Sequence, residues 1–133
     1  MKKLYYASLT YLVIGLLSGV FAREYAKSKG ILGSTLLNLL HTHTLVLGFL
    51  FFLIALALAK SFSFHNVKGF STWFIIHNIG LILTLSSMAT RGLLQLNGAD
   101  FKELTYIVGF SHSLIGLSLV WFMMLLKKSF KMS

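Results

Sequence analysis

His41 and His43, two residues apart in a long apolar segment, are the residues whose type and spacing can do chemistry in this chain. Ionisable groups inside a bilayer are costly to keep and tend to mark function. His77 and His112 lie in two further apolar segments, while His65 falls in a polar connection where we expect it to be solvated. No Asp, Glu, Lys or Arg falls in the middle of any apolar segment, so imidazole is the strong chemical resource there. That pattern argues against a proton- or ion-coupled transporter, which needs a buried carboxylate. The sequence has no cysteine, which removes disulfides, zinc–thiolate and iron–sulfur sites and haem attached through C-x-x-C-H. It also has no proline, so no residue forces a kink, and half-helix transporter sites are disfavoured.

Residues two apart on an α-helix are separated by about 200°, so His41 and His43 point to opposite flanks of one helix. They cannot ligate the same ion in ordinary geometry, because a compact zinc site wants spacings of three or four. The pair suits two separate pockets, each needing one imidazole. A haem ring is large, flat and apolar, sits between helices, and takes histidine as an axial ligand. The plain alternative for each histidine is a hydrogen-bonding packer, most natural for His77. Arg23 and Arg91 close the first and third apolar segments on one side. Their guanidinium groups can pair with haem propionates, or serve as interfacial anchors.

The elements that must position these residues are four apolar segments near Leu4–Tyr25, Gly33–Ala59, Phe70–Leu94 and Glu103–Leu126. Of the 133 residues, 56% are hydrophobic and only 11% charged, and runs of this length ask for lipid around them. The expected fold is all-α, a single transmembrane domain over residues 1–133 with four helices in an up-down arc or bundle. Leu96–Asp100 reads as a turn, and Gly15 and Gly19 form a G-x-x-x-G pair suited to close helix packing. Tyr5, Tyr6, Trp73 and Trp121 read as interfacial belt residues. The start, Met-Lys-Lys before an apolar run, imitates a signal peptide with Val20-Phe21-Ala22 as a cleavage-like site; we read it as a retained first helix.

Of the 12 Lys and Arg, seven (Lys2, Lys3, Lys60, Lys68, Lys127, Lys128, Lys131) fall on the side of both termini, with no acid. The other five share the opposite side with Glu24, Asp100 and Glu103. The basic excess predicts both termini in the cytoplasm. A net charge of +9 spread over segment ends, not along one face, excludes nucleic acid as a partner. With this topology His41, His43 and His112 lie about 12–15 Å along helices entered from the outer side. His77 sits about 10 Å from the cytoplasmic face, in a different layer.

The stretch Leu39-Leu40-His41-Thr42-His43-Thr44-Leu45-Val46-Leu47-Gly48-Phe49, with Gly109-Phe110-Ser111-His112, resembles an uncharacterised bacterial family of four-helix membrane proteins, a domain of unknown function. The resemblance covers nearly the whole chain and implies the cytoplasmic (inner) membrane, but no activity. His41 to Gly48 is also similar to the tenth helix of the haem–copper oxidase catalytic subunit. In that family an H-x-H followed shortly by glycine supplies ligands to two haems, one on each flank; here the glycine spacing differs by about one residue. That subunit has twelve helices in three four-helix arcs, so this chain resembles one arc, and three copies in a ring would rebuild the architecture. The resemblance implies a homotrimer with b-type haem between protomers, His41 of one copy opposite His43 of its neighbour. No three-histidine copper site and no His–Tyr crosslink candidate is present, so oxygen reduction is not implied.

The expected function is therefore a membrane cytochrome-like protein with haem b on His41 and His43, His112 as an alternative ligand within one protomer, and Arg23 and Arg91 at the propionates. Two axial histidines favour electron transfer; a single one leaves room for a diatomic gas, and a quinone is a conceivable partner. The competing class is a haem-free assembly factor or small-solute channel whose histidines pack or line a pore.

Overall fold

With no proline to interrupt them, the four apolar runs each become one long helix. The computed structural model describes residues 1–31, 36–99 and 102–130. The helices are α1 (Lys2–Ser28), α2 (Leu36–Phe62), α3 (Phe70–Leu96) and α4 (Leu104–Phe130), each of 27 residues. At 1.5 Å per residue each is about 40 Å long, enough to cross a hydrocarbon core of about 30 Å. Most of each apolar window stays uncovered by protein; Leu17, Ile82, Leu117 and Val120 are all exposed. Lipid is the solvent that accepts such surfaces, and the chain is a multi-pass membrane protein. The expected second-span start at Gly33, the turn end at Asp100, and Lys131 lie outside the described residues.

The helix ends on the side away from the termini are built alike. After α1, Gly30 has φ 67°, its N–H bonds the Lys27 carbonyl and the Ile31 N–H bonds that of Ala26. After α3, Gly98 has φ 75°, and the N–H groups of Gly98 and Ala99 bond the carbonyls of Gln95 and Leu94. Both are Schellman caps, which need a left-handed residue that glycine supplies without a Cβ clash.

The helices form an arc. α1 packs along α2, α2 along α3, and α3 along α4, while α2 meets α4 in its half nearer the termini. Gly15 receives Leu45 and Thr44, and Gly19 receives His41, so the G-x-x-x-G pair packs α1 on α2 within the chain. The termini half is closed by an aromatic core of Phe51, Phe52, Phe64, Phe70, Trp73 and Phe122. Trp73 is not a belt residue: it is fully buried, and its indole N–H donates to the Ser118 carbonyl at 2.9 Å. The expectation failed because Trp73 is one turn inside α3 on the face that meets α4. The α2–α3 connection is also not a free polar loop. A turn of 3₁₀ helix at Phe64–Asn66 tucks Phe64 into the core and leaves His65 half-buried, its Nδ1 shielded.

Candidate functional site

The H-x-H residues end the first α-helical portion of α2, Leu36–His43, and a π-helical stretch follows at Thr44–Leu50. A π turn holds one extra residue, weakens the local hydrogen-bond ladder, and often marks a functional site. Contacts from both neighbouring helices accompany it. Tyr11 of α1 lies so close over Gly48 that a Cβ there would stand 2.5 Å from its ring. Tyr11 is fixed by a 2.9 Å hydrogen bond to Asn78 and by stacking on Phe52. Ser8 donates to the Phe49 carbonyl at 3.1 Å, and His77 adjoins the backbone of Leu47. Backbone groups of the stretch are thus engaged from both neighbouring helices.

His41 and His43 leave α2 on opposite flanks, as their spacing requires. His41 packs on α1, its ring carbons 3.5–3.6 Å from where a Cβ on Gly19 would stand. Its Nδ1 is buried and has no hydrogen-bond partner among the described residues. His43 faces away from α1. Its Nδ1 is 2.9 Å from the Leu39 carbonyl one turn back, where it can only donate, so Nε2 carries the lone pair. A groove of about 230 Å³ lined by Thr42, His43, Val46 and Leu47 lies over this flank. That is below the roughly 300–1,000 Å³ of sites that enclose a ligand, so α2 supplies one wall.

His112 repeats the arrangement on α4: its Nδ1 is 2.8 Å from the Val108 carbonyl, and the ring is exposed. An imidazole whose Nδ1–H is held by a carbonyl has fixed tautomer and orientation, the usual state of a metal-ligating histidine. Arg91 is half-buried near the far end of α3, and Arg23 is exposed near the far end of α1. Each flank of α2 thus has a histidine with an arginine farther out on an adjoining helix. No cluster of three or more His, Cys, Asp or Glu suited to a metal ion occurs among the described residues.

His77 is built differently. It is fully buried, stacked on Phe51 at 4.6 Å, edge-on to Phe52 at 5.3 Å, and hydrogen-bonded to Ser118 Oγ at 2.9 Å. Its Nε2 is buried without a hydrogen-bond partner among the described residues. This is a packed histidine, joining α2, α3 and α4.

Sequence reading missed the π stretch, the Tyr11–Gly48 contact that accompanies it, and the His77 cage. Gly48 alone was a signal, and its role is to admit Tyr11. Residues 1–129 match the model of a family described as "Protein of unknown function (DUF2871)". No curated protein and no solved structure matches the chain.

Proposed function

The chain belongs to DUF2871, a family of unknown function, and from its own residues we propose that it is a membrane b-type haem-binding protein serving electron transfer or related redox chemistry. The observation that carries this reading is the state of His43. A histidine in a membrane span, its Nδ1 held by Leu39, presents Nε2 to an apolar groove. Left unligated, that nitrogen is an unsatisfied acceptor in hydrocarbon, which is costly; as an axial ligand it is satisfied. His112 presents a second nitrogen in the same way.

When bound, haem supplies a one-electron couple, and two histidine ligands leave its iron no open position. The residues of the chain hold and tune it. Carbonyls of Leu39 and Val108 orient the two imidazoles. Arg91 and Arg23 supply fixed positive charge toward the far side, suited to carboxylates that project to water. The partner of His43 is either His41 of a neighbouring copy in a homotrimeric ring, with haem between protomers, or His112 of the same chain. The positive-inside bias of the basic residues supports termini in the cytoplasm of a bacterial inner membrane.

The test is a reduced-minus-oxidised spectrum of the protein purified in mild detergent after expression with haem supplied. We expect a Soret band with the sharp visible bands of six-coordinate haem, lost in His43→Ala and kept in His77→Ala. A wild-type protein without a Soret band sinks the proposal and leaves the haem-free assembly factor or channel.

A further inference from the structure

We infer that the cleft between α1 and α3, in the half nearer the termini, binds one anionic phospholipid of the adjoining leaflet, with its phosphate on Lys3 and one acyl chain along the cleft. The inference stands apart from the haem reading and uses none of the histidines.

The cleft exists because α1 and α3 flank α2 and do not pack along each other. Two hydrogen bonds span the gap, Tyr11 to Asn78 at 2.9 Å and Asn97 to Tyr25 at 3.2 Å. Around the first of these a groove of about 430 Å³ opens, within the range of sites that take a small ligand. Lys3, Ala7 and Thr10 of α1 form one wall, and Phe74, Asn78 and Ile82 of α3 the other. Phe52 of α2 lies beneath, 5.7 Å from the Tyr11 ring and 5.6 Å from that of Phe74. The polar pair in the floor is engaged within the protein: Tyr11 donates to Asn78 Oδ1, and Asn78 Nδ2 donates to the Phe74 carbonyl at 2.7 Å. A hydrocarbon chain crosses this pair without breaking its hydrogen bonds.

The dimensions match one leaflet. Tyr11 stands nine residues into α1 and Asn78 eight residues into α3, so their bond sets the two helix starts at nearly one level. From Lys3 to Ile82 the groove then runs from the helix ends to a depth of about 18 Å. The helices exceed the hydrocarbon core by about 5 Å at each end. Lys3 is therefore at headgroup height and Ile82 is near the bilayer midplane. Tyr6, also on the groove, brings its phenol to the boundary, where a hydroxyl meets ester carbonyls.

Charge selects the occupant. The termini side carries seven lysines and no acid. Lys3 lines the groove, whereas its neighbour Lys2 does not. An ammonium on a flexible stem reaches a phosphate while its methylenes cover apolar surface. A second copy seated here in the same orientation would bring more lysines to that level and no acid to meet them. The groove on α4 that ends at Lys127 has a single helix for its wall, and the one over His43 has no lysine or arginine. The α1–α3 cleft combines two walls with a cation at its mouth.

The test is native mass spectrometry of the protein in mild detergent after equilibration with equal amounts of phosphatidylglycerol and phosphatidylcholine of the same chains. The wild type is expected to retain one phosphatidylglycerol, preferred about fivefold. Lys3→Gln is expected to lose the preference and Lys2→Gln to keep it. Thr10→Trp, at an exposed position on the wall, is expected to retain neither lipid. Equal losses in Lys2→Gln and Lys3→Gln overturn the site, because general attraction to a basic surface predicts that result. A wild type that retains neither lipid, or both alike, also overturns it. If that wild type is an oligomer that Thr10→Trp dissociates, the cleft belongs to a second copy. No arm reads haem, so failure here leaves the spectral test of the haem reading untouched.

Discussion

His77 on the one hand, and His43 and His112 on the other, sit in the same four helices, yet their surroundings are opposites. His77 is enclosed by Phe51, Phe52 and Trp73 with Ser118 on its Nδ1, in the half where α2, α3 and α4 converge. His43 and His112 each turn Nδ1 back to their own helix and present Nε2 outward, in the half where α2 and α4 part. The difference teaches how to tell a packing histidine from a presented one. Burial alone does not make the distinction: His77 takes its Nδ1 partner from another helix, whereas His43 and His112 take theirs from their own backbone.

The comparison is broken most sharply by attacking the closed half. Trp73→Ala removes the largest fully buried side chain and the donor to the Ser118 carbonyl. It should cost about 3–5 kcal/mol, the range for a buried Trp cut to Ala, by reversible unfolding in mixed detergent. His43→Ala in haem-free protein should cost under about 1 kcal/mol, since its ring contributes little packing. Equal costs would mean that the two regions are not the distinct structures described above.

The π stretch joins the two regions, and Gly48→Ala tests it. The new methyl group meets Tyr11 at 2.5 Å, and that ring is held by Asn78 and Phe52, so it cannot step aside. We expect a loss of about 2–3 kcal/mol, typical of overpacking, with Tyr11→Ala recovering much of it in the double variant. Strict additivity would show that the two residues do not share one contact.

Ser118→Ala is a finer probe of the closed half. It leaves His77 Nδ1 without its 2.9 Å partner, which should cost about 1–2 kcal/mol for a buried unsatisfied group. The spectrum of bound haem should not change. A shifted Soret band in this variant would place His77 among the ligands and remove the distinction drawn above.

Much of this was legible in the sequence, for identifiable reasons. Helix number followed from four proline-free apolar runs, and the cap at Gly98 from Leu-Asn-Gly-Ala. The opposite flanks of His41 and His43 followed from helical rotation alone. Trp73 was misplaced because its neighbours along the chain resemble an interface, whereas its partners, Ser118 and Phe122, are far away in sequence. The π stretch was illegible for a similar reason: it accompanies contacts from Tyr11 and Ser8 of α1, not a local breaker. Without it, the rotation linking His43 to Phe62 comes out about 100° wrong.

The smallest structural change gives the cleanest separation of the two regions. Gly116 is exposed on α4, one turn beyond His112, with open space where a side chain would stand. Gly116→Leu should leave the haem-free protein unchanged or more stable by up to about 1 kcal/mol, since glycine is a poor helix former in a helix interior. If haem binds His112, the same leucine crowds it one turn from the ligand. Haem affinity should then fall about tenfold, or about 1.4 kcal/mol, read by titration with haem. Unaltered affinity in a stable Gly116→Leu protein would argue against His112 as a haem ligand.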